Sequence, residues 1–202
     1  HAHGTLDMER AITVSCNAYF AQLGVHDVGS KTLAETAAQM GISTGDIAEL
    51  RKFLPFASYG QGPVLISPFK MARVAAAIAN GGRMPEGRWI EGGGNTRTDA
   101  PLEVLPSGQA AFLAGAMRRV VLEGTARHVM AGEQIGIAGK TGTAQLDTGM
   151  PHAWFTGFAP YSAGAERRIA FSVLVEHGGY GGRAAAPIAR AVMEAARELG
   201  IL

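Results

Sequence analysis

The sequence predicts an α+β fold in which one antiparallel sheet is covered by helices. Helix-forming patterns fill the first part of the chain, and three strand-like runs then follow one another with short connections. Strands joined in this way favour an antiparallel meander, and helices grouped before and after them are typical of the α+β class. An alanine-rich helix over residues 185–199, with Ile188, Val192 and Ala196 on one stripe, is predicted to lie across the sheet.

Two short helices are predicted at the start of the chain, over residues 6–12 and 18–24. Asp7 suits the positive end of the first helix dipole. Gly24 is expected to end the second helix, whose apolar residues indicate burial. Residues 15–17, Ser-Cys-Asn, then lie in a tight corner between the helices, where serine and asparagine commonly act as caps.

The middle of the chain is predicted to contain two helices with an irregular stretch between them. A short helix over residues 33–40 is predicted to stop at Gly41, whereas residues 42–54 show no clear period and are predicted to be irregular, in a small lobe. The clearest helix in the chain has Ser67 as its N-cap and Pro68 at its first helical position.

The second half contains the predicted strands. Gly, Pro and short polar residues dominate residues 83–106, which predicts a long surface connection with a short strand around residues 88–90. A strong helix over residues 107–124 follows. The three predicted strands of the sheet span residues 135–145, 153–159 and 169–176.

Composition narrows the classes of function. The chain has 202 residues, of which 47% are hydrophobic, and this is enough for one well-packed core. A net charge of +1 without a long basic run argues against nucleic acid as a partner. Cys16 is the only cysteine, which excludes an intrachain disulfide and a cysteine-built metal site. No run has the length of a membrane-spanning helix and the first residues lack signal-peptide features, so we expect any targeting signal to lie upstream.

The predicted edge strand over residues 135–145 is the most informative stretch for function. An edge strand leaves backbone N–H and C=O groups open to an extended peptide. Lys140 adds positive charge, Thr141 and Thr143 offer hydroxyls on one side of the pleat, and Gly142 leaves room for close approach. This pattern predicts an anionic, peptide-like ligand.

Residues 135–145 also allow other interpretations. A phosphate-binding loop needs a glycine at position 134, which is glutamine here, so that interpretation fails. An ordinary edge strand with one solvated lysine stays open on these residues alone. The histidines lack metal-ligand spacing, so we expect surface or structural roles for them and neither a metal nor a cofactor. These histidines are His26, His128, His152 and His177.

Two short motifs together resemble a known family. Ser15-Cys16-Asn17, followed much later by Lys140-Thr141-Gly142, is similar to the second and third signatures of penicillin-binding proteins and serine β-lactamases. The likeness covers nearly the whole chain and is closest to class B penicillin-binding proteins. It implies a β-lactamase/transpeptidase-like fold, with residues 1–202 forming the C-terminal part of a transpeptidase domain. Further similar segments are residues 58–62, 67–72, 124–126 and 152–160.

The resemblance implies a role for each matching residue. Ser15 would pass a proton to or from the leaving group, and Asn17 would bind the substrate amide and help fix the catalytic lysine. Lys140, with the hydroxyls of Thr141 and Thr143, would bind the substrate carboxylate, and the backbone N–H of Thr143 would form half of an oxyanion hole. The expected catalytic residues are Ser15, Asn17 and Lys140, and the expected substrate-binding residues are Thr141, Gly142 and Thr143.

The implied function is a step in building peptidoglycan. The parent protein would acylate a serine with the D-alanyl-D-alanine end of a stem peptide and would bind β-lactam antibiotics in its place. It would act outside the cytoplasm, anchored to the membrane by an upstream segment. The alternative is a non-catalytic penicillin-recognising sensor or a degenerate structural homologue.

The sequence departs from the family pattern at the nucleophile. The family's serine lies three residues before a lysine and precedes the Ser-x-Asn motif, but the first fourteen residues contain neither serine nor lysine. Ser67 and Lys70 form a Ser-x-x-Lys after that motif, where a helix N-cap is the expected role. We therefore expect the fold to be incomplete at its N-terminal side, the chain to be unable to catalyse acyl transfer unaided, and its uncovered apolar face to favour self-association.

Overall fold

A three-stranded antiparallel sheet lies at the centre of the fold. The computed structural model describes residues 3–87 and 100–202. Its α-helices are α1 Met8–Val14, α2 Asn17–Leu23, α3 Gly29–Gln39, α4 Ile47–Lys52, α5 Leu54–Ala57, α6 Pro68–Ala79, α7 Ser107–Leu122 and α8 Gly181–Glu198. Its strands are β1 Arg83–Met84, β2 Leu102–Glu103, β3 Ala138–Ala144, β4 His152–Ala159 and β5 Ile169–Val175. The large sheet has the order β3-β4-β5, which confirms the predicted α+β class and its meander.

Helices cover both faces of this sheet. Phe155 and Phe158 lie on opposite faces of the central strand β4, and both are buried. Phe155 packs in one cluster with Ala189 and Met193 of α8, whereas Phe158 packs with Met117 of α7 on the other side. The sheet is therefore held between α8 and the pair α6–α7, and β3 is left as an edge strand.

The face that α8 presents to the sheet differs from the predicted stripe. Ile188 and Val192 are 45% and 51% exposed, so their predicted burial is wrong. Ala196 of the predicted stripe is buried, together with Ala185, Ala189 and Met193. The alanines let the helix backbone approach the sheet closely, and Met193 fills the space beside them. No helix in the part of the chain that the structure describes is long and apolar enough to cross a membrane.

The N-terminal helices form the predicted corner but continue past the predicted stop. Asp7 caps α1 by accepting a hydrogen bond from the backbone N–H of Arg10. α2 ends at Leu23 with Gly24 as its C-cap, as predicted, but the helical path does not stop there and continues through a π-helical turn, Gly24–Val28, into α3. Glycine is needed at this position for space, since an added Cβ would lie 1.7 Å from Ser58 Oγ. The predicted burial of α2 is also wrong, because none of its residues is fully buried.

Two further differences concern the middle of the chain. The predicted irregular stretch 42–54 contains α4, which Asp46 caps by accepting hydrogen bonds from the N–H groups of Ala48 and Glu49. An acidic cap with a glutamate three residues later is a helix-start signal, and it was missed. In the connection after α6, β1 pairs with β2, while the strand predicted at 88–90 lies outside the described residues.

A buried ion pair fixes the segment that leads into β3. Arg118 of α7 donates hydrogen bonds to the carboxylate of Glu133 and, at 2.7 Å, to the carbonyl of Ile137. The other Glu133 oxygen accepts from three consecutive backbone N–H groups, those of residues 135, 136 and 137. The Glu133 side chain is only 2% exposed, so this carboxylate takes the place of strand pairing before β3 begins.

The surroundings of Glu133 stabilise its charged form. Burial by itself raises the pKa of this carboxyl, but the hydrogen bond from Arg118, the backbone N–H groups of Ile137 and Gly136 and the positive charge of Arg118 together lower it below the ordinary value of 4.5. A lowered pKa in the folded state means that the stabilisation is present above about pH 4.5 and is lost as the pH falls through the folded-state value.

Replacing Glu133 by glutamine is expected to lower the free energy of unfolding by about 3 kcal/mol at pH 7, because Arg118 is left buried without its carboxylate. Glu123→Gln is the control, since Glu123 forms only half-exposed ion pairs, with Arg10 and Arg119, and should cost less than about 1 kcal/mol. Urea unfolding at several pH values between about 3 and 7 gives the free energy of unfolding of both variants across the range in which carboxylates titrate. The effect of Glu133→Gln should shrink below pH 4.5; equal losses in the two variants would contradict the role assigned to this pair.

Candidate active site

A cleft of about 1310 Å³ opens along the free edge of β3. All six residues predicted for the site line it. The corner between α1 and α2 supplies Ser15 and Asn17, and β3 supplies the other four. The cleft thus joins two motifs that are far apart in sequence. Its predicted members are Ser15, Asn17, Lys140, Thr141, Gly142 and Thr143.

The backbone at Ser15 aims its side chain at β3. Ser15 has φ 56° and ψ 56°, the left-handed conformation, and ends α1 with its N–H directed at the carbonyls of Ala11 and Ile12. A non-glycine residue held in this region costs on the order of 1 kcal/mol, so the surrounding contacts must hold it there. One such contact is the hydrogen bond that Ser15 Oγ accepts from Lys140 Nζ at 2.7 Å.

In the described part of the chain, Lys140 is a cation without a charged partner. Its Nζ also donates to the carbonyl of Thr141 at 2.9 Å, and among the described residues it takes part in no ion pair. Burial lowers the pKa of this ammonium to about 8, because few water molecules can solvate the charge. The group can therefore attract an anion while it is charged and can exchange a proton near neutral pH.

The two threonines of β3 share a face of the strand, as predicted, and one of them has a hydroxyl partner. Thr141 and Thr143 pair with Phe155 and Ala153 in the antiparallel register. The hydroxyls of Thr141 and Thr125 are 2.5 Å apart, so the turn after α7 orients the Thr141 side chain. Thr125 was not among the predicted site residues, although the sequence placed it in a segment that resembles the family.

Close backbone packing explains two glycines of the cleft. A Cβ on Gly142 would lie 3.0 Å from the Cβ of Trp154 on β4. A Cβ on Gly181, at the start of α8, would lie 2.4 Å from the carbonyl oxygen of Gly142. Only a bare backbone lets α8 begin against β3. The glycines of this segment predicted a flexible loop beside the cleft, but Gly181 was not among the predicted site residues because nothing local marks its close approach to β3.

Gln61 is the third residue that the sequence analysis missed. It lies in the loop between α5 and α6 and contacts the far end of β3, where its carboxamide bonds to the backbone of Thr143 and Gln145. Its position in a loop with glycines on both sides gave a turn signal but no indication of this long-range contact.

The remaining candidates lie apart from these residues or lack ligand partners. Ser67 Oγ accepts a hydrogen bond from the backbone N–H of Lys70 at 3.4 Å, both side chains are exposed, and neither residue lines the cleft. His152 and His177 do come together, with ring centroids 5.0 Å apart. Among the described residues, however, no group of three or more histidine, cysteine or acidic side chains is placed to hold a metal ion.

Comparison with known proteins identifies the family to which the chain is similar. Residues 1–194 match the model of the penicillin binding protein transpeptidase domain. The chain is 34% identical to peptidoglycan D,D-transpeptidase PbpA of Mycobacterium tuberculosis over 95% of this chain and 44% of the relative. It is 28% identical to peptidoglycan D,D-transpeptidase MrdA of Haemophilus influenzae over 95% of this chain and 36% of the relative.

The solved structures agree with the sequence matches. Penicillin-binding protein A from M. tuberculosis, solved as a ceftriaxone acyl-enzyme complex, is similar with a TM-score of 0.79 and 31% identity over 97% of this chain and 49% of that chain. The complex between penicillin-binding protein PBP2 and MreC from Helicobacter pylori gives a TM-score of 0.84 at 25% identity, over 99% of this chain and 41% of that chain. The chain thus spans less than half the length of each relative named here.

The lowered pKa of Lys140 is directly measurable. We expect its side-chain ammonium to titrate with a midpoint near pH 8, because burial disfavours the charge. The chain has only four lysines, so the NMR signal of the ¹³Cε carbon that disappears in Lys140→Met identifies this group. Lys70→Met, on the exposed side of α6, is the control and should leave that signal in place. A midpoint above about 10, the ordinary range for lysine, would contradict the assignment.

Proposed function

Because this chain belongs to the family of penicillin-binding protein transpeptidase domains, we propose that its cleft binds the D-alanyl-D-alanine end of a peptidoglycan stem peptide, or a β-lactam in its place. The family match confirms the resemblance seen in the sequence. In this proposal residues 1–202 are the C-terminal part of the transpeptidase domain. The observation that carries it is the ammonium of Lys140, which lies beside an open strand edge and has no anionic partner among residues 3–87 and 100–202.

The carboxylate of the ligand would bind to the part of β3 between Lys140 and Thr143. Lys140 supplies the charge, and the hydroxyls of Thr141 and Thr143 on the neighbouring face supply hydrogen bonds. Hydrogen bonds to a charged group contribute about 1.5–3 kcal/mol each, more than those between neutral groups. A terminal carboxylate on an extended peptide is a ligand that satisfies both the charge and the strand edge.

The backbone of Thr143 would stabilise the tetrahedral intermediate. Its carbonyl bonds to Gln61, which shows that it faces away from β4, and in a strand the N–H of the same residue points to the same side. This N–H is therefore directed into the cleft, where it can serve as one donor of an oxyanion hole. Loss of such a donor typically costs about 3–4 kcal/mol of transition-state stabilisation.

Ser15 and Lys140 would carry the proton of the leaving group. In the family reaction a serine oxygen attacks the carbonyl of the penultimate D-alanine, the peptide C–N bond breaks, and the amine of the terminal D-alanine leaves with a proton. The 2.7 Å hydrogen bond from Lys140 Nζ to Ser15 Oγ, together with a lysine pKa of about 8, supplies a short path for that proton. Asn17 lines the same end of the cleft and would bind the ligand amide.

The attacking serine is proposed to come from outside these 202 residues. Ser67 and Lys70 do not line the cleft, and Ser58, which does, donates its hydroxyl to the Leu54 carbonyl at 2.6 Å and has no lysine three residues later. The parent protein would work outside the cytoplasm, tethered to the membrane by a segment beyond this chain. The second candidate function, a penicillin-recognising sensor, uses the same cleft without acyl transfer.

Lys140→Met is expected to weaken reversible penicillin binding by this chain about tenfold or more, because one charged hydrogen-bond donor is lost. Lys70→Met is the matched control and should leave the affinity unchanged. Competition with a fluorescent penicillin, followed by fluorescence anisotropy, measures both variants. Equal affinities in the wild type and Lys140→Met would contradict a carboxylate site on β3.

The position of the nucleophile is tested by covalent labelling. Incubation of the 202-residue chain with fluorescent penicillin should leave no label after denaturation. The complete natural protein should be labelled on a serine that lies three residues before a lysine, as peptide mass mapping would show. A label on Ser15, Ser58 or Ser67 would overturn the proposed position of the nucleophile, and reversible binding alone in the complete protein would favour the sensor.

A further inference from the structure

The side chain of Gln61 occupies part of the open edge of β3. Its Nε2 donates to the carbonyl of Thr143 at 2.7 Å, and its Oε1 accepts from the backbone N–H of Gln145 at 3.1 Å. These are the two outward backbone groups on either side of Ala144. A carboxamide carries the same donor and acceptor as a peptide bond, so Gln61 fills the place of one residue of a pairing strand.

These two bonds occupy backbone groups that a pairing peptide would need. A peptide with its carboxylate near Lys140 that extends past Thr143 runs antiparallel to β3, and the outward carbonyl of Thr143 and the outward N–H of Gln145 are both taken by the carboxamide of Gln61. Further up the strand, Lys140 Nζ already donates to the carbonyl of Thr141. The outward carbonyls of both threonines therefore have side-chain donors.

The backbone of the Gln61 loop is fixed while its side chain spans the cleft. The N–H of Gln61 donates to the carbonyl of Phe56 at 3.0 Å. Gly60 and Gly62, on either side, have φ values of 85° and 67°, which a turn of this shape needs. Within the same segment, the ring of Tyr59 packs against the ring of Phe56 in α5, with centroids 6.0 Å apart. A ligand can thus displace the carboxamide by side-chain rotation, without moving the loop.

We infer that Gln61 is a specificity-determining residue that ends the ligand-binding edge of β3 at Thr143, so that a peptide pairing beyond this point must displace the Gln61 carboxamide. The inference rests on the proposed function, because it concerns how far the same peptide ligand pairs with β3. It favours ligands whose contacts lie at their carboxylate end, and longer peptides gain nothing from the residues that reach Gln145.

Two peptides of different length test this inference on the whole chain. With its carboxylate at Lys140, acetyl-D-Ala-D-Ala reaches only the part of β3 up to Thr143. The longer acetyl-Ala-Ala-Ala-D-Ala-D-Ala can extend past Thr143, since each residue of a strand adds about 3.3 Å. Their dissociation constants are measured by NMR titration for the wild type, Gln61→Ala, Gln61→Glu and the exposed control Gln39→Ala. Gln61→Glu keeps the size of the side chain but has no hydrogen to donate to Thr143.

In the wild type and in Gln39→Ala we expect the two peptides to bind within about twofold of each other. In Gln61→Ala and Gln61→Glu the longer peptide should bind about three- to tenfold more tightly than the shorter one, which is the effect of about one hydrogen bond. Both peptides carry the same carboxylate, so the new charge of the glutamate affects both dissociation constants alike and drops out of their ratio.

The other outcomes overturn the inference in distinguishable ways. If Gln61→Ala weakens both peptides equally, Gln61 only ties its loop to β3 and does not set the length of the ligand. If both peptides bind every variant with an unchanged ratio, the inference fails while the proposed function stands. If neither peptide binds the wild type, the proposed function fails and the inference fails with it.

Discussion

The cleft depends on the buried pair between Arg118 and Glu133. The segment before β3 pairs with no strand that the structure describes, and its three backbone N–H groups find their acceptor in one carboxylate. Arg118 ties that carboxylate to α7 and also bonds to the carbonyl of Ile137, directly before β3. A buried acid is costly unless it is paired and hydrogen-bonded, and here both conditions are met. The start of β3 is thereby fixed against a helix, which sets where Lys140 and the two threonines stand relative to the corner at Ser15.

Three other segments of the chain each bring one side chain to β3 and so complete the site. The corner after α1 brings Ser15 to Lys140, the turn after α7 brings Thr125 to Thr141, and the loop before α6 brings Gln61 to Thr143. Each contact joins residues that are far apart in the chain, so the site exists only when the whole fold is formed. Glycines at 142 and 181 make this convergence possible, because an added Cβ at either position would meet backbone or side-chain atoms at 3.0 Å or less.

The arrangement keeps Lys140 charged but poorly solvated. Its ammonium is held by a hydroxyl and a carbonyl, which accept hydrogen bonds without neutralising the charge. A fully hydrated ammonium gains little free energy when it exchanges its water molecules for a carboxylate. Burial removes part of the hydration shell of Lys140 and lowers its pKa to about 8. A ligand carboxylate in the cleft would replace the lost stabilisation of the ammonium charge. The proposed anion binding and proton exchange near neutral pH would thus have the same physical origin.

Local patterns in the sequence determined the order of the strands, the N-cap at Ser67 and the two motifs at the site, since periodicity, caps and short motifs are properties of neighbouring residues. The stripe of α8 was misjudged because side-chain size suggested Ile188 and Val192, whereas close contact with the sheet selected the alanines. The helix after Asp46 was missed although its cap is local. Only the tertiary structure decided the contacts of Gln61, Thr125 and Gly181 and the pKa of Lys140, because these depend on distances between groups that the sequence separates and on how much water reaches them.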